Sequence, residues 1–274
     1  MLDKFLFSTR EAKIVAARSM NLFSNTFMSV ALDDKETCAY VLRILTGISD
    51  LEIIEIRSQE HIAKLIDRDV ILDIRARDSK GKIYSIEIQR ADTIDHPRRV
   101  RLYRSEIDSH TLAKGTDVDA LPDLYLIYVS ETDIFRSGLA WDSVVQRFTR
   151  SGATYEDGCH IIFANAEVVE ENPISELMQY FKSTDPDDMK HGALSKRIHL
   201  LKREQGGEEI MCKVTDSFIQ EGKRIRNLEI IRTIMEKQGW DADRTMEFLD
   251  IERTDRPFYA AYINEKSVPE TVRT

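Results

Sequence analysis

The sequence lacks several features that would assign it to a common class of protein. It contains no run of about 18 apolar residues, which excludes an ordinary transmembrane helix. We expect no secretory signal, because the start, MLDKFLFSTREAK, has neither a long apolar stretch nor a small-residue cleavage site. Three cysteines without a CxxC pair fit a reduced, cytoplasmic protein and give no zinc-binding pattern.

Familiar catalytic motifs are also missing. No GxSxG motif is present to supply a hydrolase nucleophile. No GxGxxG or GxxxxGK[ST] loop is present to bind nucleotide phosphates, and the six histidines show no HxxxH spacing. These absences argue against a triad hydrolase, a P-loop nucleotidase and an HxxxH zinc enzyme.

The net charge of −9 argues at first against nucleic acid as a partner. The charge is unevenly distributed, however, since residues 1–120 carry −1 and residues 121–274 carry −8. A local basic cluster, opposed only by Asp92 and Asp95, consists of Arg90, Arg98, Arg99, Arg101 and Arg104. Such a local patch is a better guide to nucleic-acid binding than the charge of the whole chain.

The order of predicted elements indicates an α/β domain with a central sheet, followed by helices. Residues 26–46 include helical spacing that ends at Gly47. We expect residues 131–158 to be irregular, with a short helix around 141–147. The other predictions are strands over 51–56, 70–77, 82–89, 123–130 and 159–164 and a helix over 97–114.

The rest of the chain, from about Ile174, is predicted to be helical. Its longest pattern covers 208–237, and Asp241 is expected to cap a last short helix. We place a boundary in the polar segment 182–192, which divides the chain into domains at 1–183 and 184–274. The apolar stripe of the long helix fits packing within its own domain or a homodimer through the C-terminal helices, and the sequence leaves both open.

The predicted hairpin at 70–89 brings two carboxylates to one face of the sheet. Ser79-Lys80-Gly81 fits a type I turn followed by glycine in the left-handed region. This loop sets Asp73 opposite Glu87, with their Cβ atoms about 5 Å apart. The other face of the hairpin is apolar and consists of Val70, Leu72, Ile74, Ala76, Tyr84, Ile86 and Ile88.

Two opposed carboxylates repel each other, so a structure that holds them together usually supplies a cation. Mg²⁺ prefers carboxylate oxygens and is completed by water and substrate phosphates. Such an ion activates water and stabilises charge on a phosphate during hydrolysis. The pattern also fits a second interpretation, in which the acids are exposed to solvent or paired with Arg75 and Arg77.

The hairpin and the segments that follow it resemble the PD-(D/E)XK nuclease superfamily. The resemblance is closest to its transposase-associated branch, the Rpn-like recombination-promoting nucleases, and it covers about residues 20–180. It implies a restriction-endonuclease-like core, with a central mixed sheet flanked by helices, and metal-dependent cleavage of DNA in transposition or recombination. The stretches that carry it are LDIRARDSKGKIYSIEIQ, RRVRLYRSEIDSHTLAKG and DLYLIYVS.

The resemblance also implies roles for the hairpin residues. Asp73 and Glu87 would bind Mg²⁺, with Mn²⁺ as an alternative, and the main-chain carbonyl of Ile88 would be a further ligand. Gln89 stands where the motif usually has lysine and would position the attacking water. Glutamine carries no charge, so the electrostatic contribution of the lysine is lost.

The first helix departs from the family pattern as well. Many members have an acid there, whereas this sequence has Asn25, with Glu36 as a possible substitute. A missing acid would weaken a second metal position. The residues at 25 and 89 therefore leave open an alternative function, a catalytically silent DNA- or protein-binding module that keeps the fold.

The basic helix after the hairpin is the candidate DNA-binding element. Arg98, Arg99 and Arg101 are expected to contact DNA phosphates. The alternative is a solvated helix face that pairs with Glu106 and Asp108. His96, just before Pro97, follows the hairpin closely enough to lie near the site, but a surface histidine in a turn is the favoured interpretation.

Overall fold

A computed structural model of the protein describes residues 14–15, 18–62, 70–89 and 96–263. Some sequence predictions fall outside this description. They are those on Arg90, Asp92 and Asp95 and on the side chains of Val70 and Leu72.

Helices α1 (Asn25–Ala31) and α2 (Lys35–Thr46) precede the sheet. Asp34 begins α2, because its side chain accepts a hydrogen bond from the backbone N–H of Thr37. Gly47 ends α2 as predicted, with φ at +73° and its N–H bound to the carbonyl of Arg43. The helical region expected over 26–46 is thus two helices, separated by the Asp34 cap.

The described residues form a six-stranded mixed sheet with the order β1-β2-β3-β4-β6-β5. Strands β3, β4 and β6 are parallel, whereas the β2–β3 and β5–β6 pairs are antiparallel. The carboxyl ends of the parallel strands lie at one edge, where open α/β sheets place their ligands. The strands are β1 (Ile53–Ile62), β2 (Val70–Asp78), β3 (Ile83–Gln89), β4 (Leu124–Ser130), β5 (Trp141–Val144) and β6 (Cys159–Asn165).

The prediction of a short helix around 141–147 is wrong. Trp141–Val144 forms the edge strand β5, in which Trp141 pairs with Ala164 of β6. All four residues of β5 are exposed, so no apolar alternation identifies the strand in the sequence. Pairing with a strand far along the chain outweighs the local preference for helix.

One face of the sheet carries the main hydrophobic core. Ile74, Tyr84 and Ile86 from the hairpin are fully buried there against helices. Helices that contribute to this core include α1, α2, α4 (Pro173–Lys182) and α5 (Gly192–Arg203). A further helix between β3 and β4, α3 (His96–Thr111), begins close to its predicted start and packs against β4.

The helical C-terminal part contains α6 (Gln205–Gln238), α7 (Ala242–Phe248) and α8 (Arg256–Ile263). Asp241 caps α7 as predicted, by accepting a hydrogen bond from the backbone N–H of Arg244. The side chains that form the small core of this part are Leu228, Ile231, Met246 and Tyr259. None of the described helices is long and apolar enough to cross a membrane.

The chain divides into two compact units, and the first reaches to Val214. It extends beyond the predicted boundary between 183 and 184, because Leu194, Ile198 and Leu201 of α5 are buried in the main core. Most of the described residues of the second unit lie from Thr215 onward. A homodimer through the C-terminal helices and a cytoplasmic location stay predictions.

Candidate functional site

The β2–β3 hairpin has the predicted loop and register. Gly81 has a φ of +85°, and its N–H donates to the carbonyl of Asp78. Arg77 pairs with Ile83 across the two strands, which is the pairing that the three-residue loop predicts. The N–H of Asp78 donates to the carbonyl of Lys82, so the hydrogen-bonded pairs of this ladder occupy the even positions of β2.

This register brings Asp73 and Glu87 together. The paired residues end at Ile74 opposite Ile86, and Asp73 and Glu87 stand at the next position of each strand. Both side chains are buried, at 7% exposure for Asp73 and 4% for Glu87. We refer to these two residues as the acid pair.

The hairpin supplies a few hydrogen bonds to the acid pair. Oδ2 of Asp73 accepts a hydrogen bond from the N–H of Ile88 at 2.8 Å, and Oε1 of Glu87 accepts one from the hydroxyl of Ser85 at 2.9 Å. The N–H and carbonyl of one strand residue point to the same side of the strand. The carbonyl of Ile88 is therefore directed toward β2, on the side of Asp73.

The acid pair is electrostatically strained. Burial raises the pKa of Asp73 to about 6, against the smaller opposing effect of the Ile88 hydrogen bond. Burial and then the negative charge of Asp73 raise the pKa of Glu87 well above its usual value, and Arg99 partly offsets this. Two full negative charges at this position require compensation. The oxygen atoms at this position, those of the two carboxylates and of the Ile88 carbonyl, fit the ligands that a hard divalent cation prefers.

Aromatic side chains surround the acid pair. Tyr128 of β4 lies opposite Glu87 in the parallel register, and Tyr103 comes from α3. Burial is the main cause that raises the pKa of both phenols, and the charges of Glu87 and Asp73 raise it further. Both phenols therefore stay protonated and can donate hydrogen bonds at neutral pH.

A hydrogen-bonded chain leads to Gln89. Nδ1 of His96 lies 2.7 Å from the hydroxyl of Tyr128, which donates to Oε1 of Gln89 at 3.4 Å. The prediction of a surface histidine at 96 is wrong, because His96 is only 4% exposed. Its polar contact with Tyr128 makes this burial possible. The contact with Tyr128 could not be predicted from the sequence, since it depends on how β3, β4 and α3 pack.

Comparison with models of protein families identifies a match over residues 39–182, to the family described as PD-(D/E)XK nuclease family transposase. The match covers more than half of the chain and includes the acid pair, α3 and β4. The chain belongs to this family. Its mixed sheet flanked by helices is the restriction-endonuclease-like fold expected for the PD-(D/E)XK family. No curated protein and no solved structure gives a match.

The two candidate residues of the first helices are not brought into the site. Asn25 is half-buried at the start of α1, and Glu36 is exposed in α2. Within the described ranges no hydrogen bond or ion pair connects either residue to the acid pair. No group of three or more histidine, cysteine or acidic residues in this part of the chain is arranged to hold a metal. The described PD-(D/E)XK site thus has two carboxylates.

The arginines of α3 differ in their surroundings. Arg99 is half-buried and close enough to Glu87 to lower its pKa, whereas Arg98 and Arg101 are exposed. Arg104 is bound within the protein, at 2.6 Å from Asp157. Arg98, Arg99 and Arg101 remain the candidates for contacts with DNA phosphates, as the family resemblance implies.

Proposed function

We propose that this protein is a metal-dependent DNA endonuclease that hydrolyses phosphodiester bonds in transposition or recombination. The acid pair is the observation that carries the proposal. Its two carboxylates are buried, close enough to repel each other and raised in pKa, which favours a bound cation over two isolated acids. Membership of the PD-(D/E)XK family supports DNA as the substrate.

Asp73, Glu87 and the main-chain carbonyl of Ile88 would hold Mg²⁺, or Mn²⁺ as an alternative. The bound ion supplies stabilisation of negative charge on the phosphate and lowers the pKa of a coordinated water. The ligands are preorganised, because Ser85 and the N–H of Ile88 fix one oxygen of each carboxylate. The remaining positions around the ion are left to water and to the substrate phosphate.

Gln89 positions the attacking water in this proposal. Tyr128 donates to Oε1 of Gln89, so the amide group is oriented with Nε2 as its donor. Nε2 then binds the attacking water or a phosphate oxygen. Glutamine cannot accept the proton of the water, so Gln89 acts by orientation and not as a general base.

The arginines at the start of α3 are proposed to bind the DNA backbone. Arg99 lies beside the acid pair and would contact a phosphate close to the cut. Arg98 and Arg101 are exposed and would contact phosphates farther along the strand. Contacts of this kind position the DNA without reading its sequence, and they weaken as salt concentration rises.

The alternative function is a catalytically silent module that binds DNA or protein. Two observations favour it: Gln89 is neutral, and neither Asn25 nor Glu36 contacts the acid pair in the described structure. Such a module retains DNA in a gel shift without metal-dependent cleavage.

Plasmid cleavage tests the proposal. The purified protein is incubated with supercoiled DNA with and without Mg²⁺ or Mn²⁺, beside Asp73→Asn and Glu87→Gln. Asp78→Asn is the matched control, since it changes a buried acid of the same hairpin outside the acid pair. We expect metal-dependent nicking that both site variants abolish and the control retains. Metal-independent DNA binding without cleavage by the wild type contradicts the proposal and supports the silent module.

A further inference from the structure

A cleft of about 130 Å³ lies between β1, β2 and the end of α3. Three arginines line it, Arg57 on β1 and Arg75 and Arg77 on β2. Residues 73, 75 and 77 alternate along β2, so Arg75 and Arg77 point to the same face of the sheet as the acid pair. We refer to this site as the arginine cleft.

The arginines of the cleft differ in their contacts. Arg75 donates to the hydroxyl of Thr111 at 2.7 Å, which ties it to the end of α3. Arg57 lies 2.7 Å from Glu55, in an ion pair whose two side chains are about half exposed. Such exposed pairs contribute little, about 0 to 1 kcal/mol, so the contact with Glu55 does not prevent Arg57 from binding another anion as well.

Arg77 is the most informative of the three. Its side chain is half-buried, and it makes no hydrogen bond or ion pair with any residue in the described part of the chain. Three guanidinium groups and one carboxylate, that of Glu55, line the cleft. A partly buried cation without a partner, among others of its sign, favours a bound anion. Guanidinium groups bind phosphate oxygens particularly well, through paired hydrogen bonds.

The cleft lies at a suitable distance from the acid pair for the same DNA strand. A β-strand rises about 3.3 Å per residue, which puts Arg77 about 13 Å from Asp73 along β2. Each nucleotide of one strand of duplex DNA combines a rise of about 3.4 Å with a rotation of about 35° around the axis, so this distance between phosphates corresponds to about two nucleotides. A backbone phosphate can therefore occupy the cleft while another lies at the acid pair.

We propose that the arginine cleft binds the sugar–phosphate backbone of the DNA about two nucleotides from the bond that is cut. Arg57 and Arg77 contact the phosphate oxygens, and Arg75 supports the wall of the cleft through Thr111. The identity of the ligand rests on the nuclease function proposed above.

DNA binding without metal tests this proposal separately from cleavage. The affinity for a short fluorescent duplex is measured by polarisation in EDTA over a series of salt concentrations. The proteins are the wild type, the double variant Arg57→Gln/Arg77→Gln and the control Arg150→Gln, which removes an exposed arginine from the β5–β6 connection. The double variant Arg57→Lys/Arg77→Lys retains the charge, and circular dichroism checks that each variant is folded.

We expect the slope of log affinity against log salt to become shallower by about 1 in the glutamine double variant, because one lost phosphate contact removes about 0.9. The lysine double variant and Arg150→Gln keep a slope close to that of the wild type. A slope unchanged in the glutamine double variant overturns the proposal, even where the wild type cleaves DNA through Asp73. If the glutamine double variant has the shallower slope but the wild type never cleaves DNA, the result supports the cleft and removes the nuclease function.

A thermal-shift measurement distinguishes DNA from free phosphate as the ligand. We expect the duplex to stabilise the wild type more than the glutamine double variant, and inorganic phosphate to have little effect. Stabilisation by inorganic phosphate that Arg77→Gln removes, with none by DNA, overturns the assignment of DNA as the ligand.

Discussion

The β2–β3 hairpin contains two sets of buried acids that differ in how they are satisfied. Asp78 is 2% exposed and accepts three hydrogen bonds, from the N–H groups of Lys80 and Lys82 and from the hydroxyl of Tyr84. Asp73 and Glu87 are as deeply buried, but they have fewer donors and face each other. Asp78 therefore stabilises the turn, whereas the acid pair stores repulsion that a cation can relieve.

This comparison separates a structural acid from a candidate catalytic one by its partners. Burial does not distinguish them, and neither does residue type. The two kinds of acid differ instead in the number of hydrogen-bond donors that they have and in the charge of the neighbouring side chain. The predictions below test whether the two sets behave as differently as their surroundings indicate.

The largest expected difference is in cleavage. Asp73→Asn and Glu87→Gln remove charge from the acid pair while keeping its shape, and we expect each to lower kcat/KM at least 10²- to 10³-fold, about 3 to 4 kcal/mol of transition-state stabilisation. Asp78→Asn keeps most of its hydrogen bonds and should stay within a few-fold of the wild type. Rates of plasmid nicking measure this, and an equal loss in all three variants contradicts the distinction.

The next difference is in folding stability, where we expect substitution of Asp78 to have a larger effect than substitution of the acid pair. Asp78→Ala removes three buried hydrogen bonds and should cost about 2 to 4 kcal/mol of the free energy of unfolding. Asp73→Asn relieves repulsion, so at pH 8 without metal it should leave the stability unchanged or raise it. Urea unfolding measures both, and a loss in Asp73→Asn as large as in Asp78→Ala removes the basis of the comparison.

The dependence of stability on pH follows from the raised pKa of Asp73. In the folded protein Asp73 holds its proton up to about pH 6. Its contribution to the free energy of unfolding is therefore fully present below about pH 4 and is lost as the pH rises past 6. Mg²⁺ competes with this proton, so its thermal stabilisation should be larger at pH 8 than at pH 5.5. Thermal unfolding with and without Mg²⁺ measures this, and Asp73→Asn should abolish the difference. An equal effect of Mg²⁺ at both pH values places the metal elsewhere.

The smallest expected effect concerns Tyr128. Tyr128→Phe removes the hydroxyl that links His96 to Gln89, and we expect about a tenfold loss of cleavage, because the orientation of the amide is worth about one hydrogen bond. Metal binding should not change, since Tyr128 supplies no ligand in our proposal. A titration of metal beside the cleavage assay separates the two. Weaker metal binding in this variant means that Tyr128 supports the acid pair and not Gln89.

The hairpin could be predicted from the sequence because its determinants are local. The loop residues fix the register, and the alternation of Ile74 and Ile86 with Asp73 and Glu87 fixes the faces. The two agree, so the position of the acid pair followed from a stretch of about twenty residues. The helix caps at Gly47 and Asp241 were predictable for the same reason.

The surroundings of the acid pair could not be predicted in this way. Tyr128 reaches Glu87 only because β4 lies parallel to β3, and His96 is buried only because α3 packs against β4. The edge strand β5 depends on pairing with β6, and its exposed residues carry no alternation. Contacts between distant segments leave little trace in local residue patterns.

The binding of Mn²⁺ to the metal-free protein, in the absence of DNA, tests the central claim most directly. Calorimetric titration of the wild type, Glu87→Gln and Asp78→Asn compares the acid pair with the structural acid of the same hairpin. Our account predicts binding by the wild type and by Asp78→Asn, and its loss in Glu87→Gln. Binding that Glu87→Gln retains in full, or no binding by the wild type, contradicts the assignment of the acid pair as a metal site.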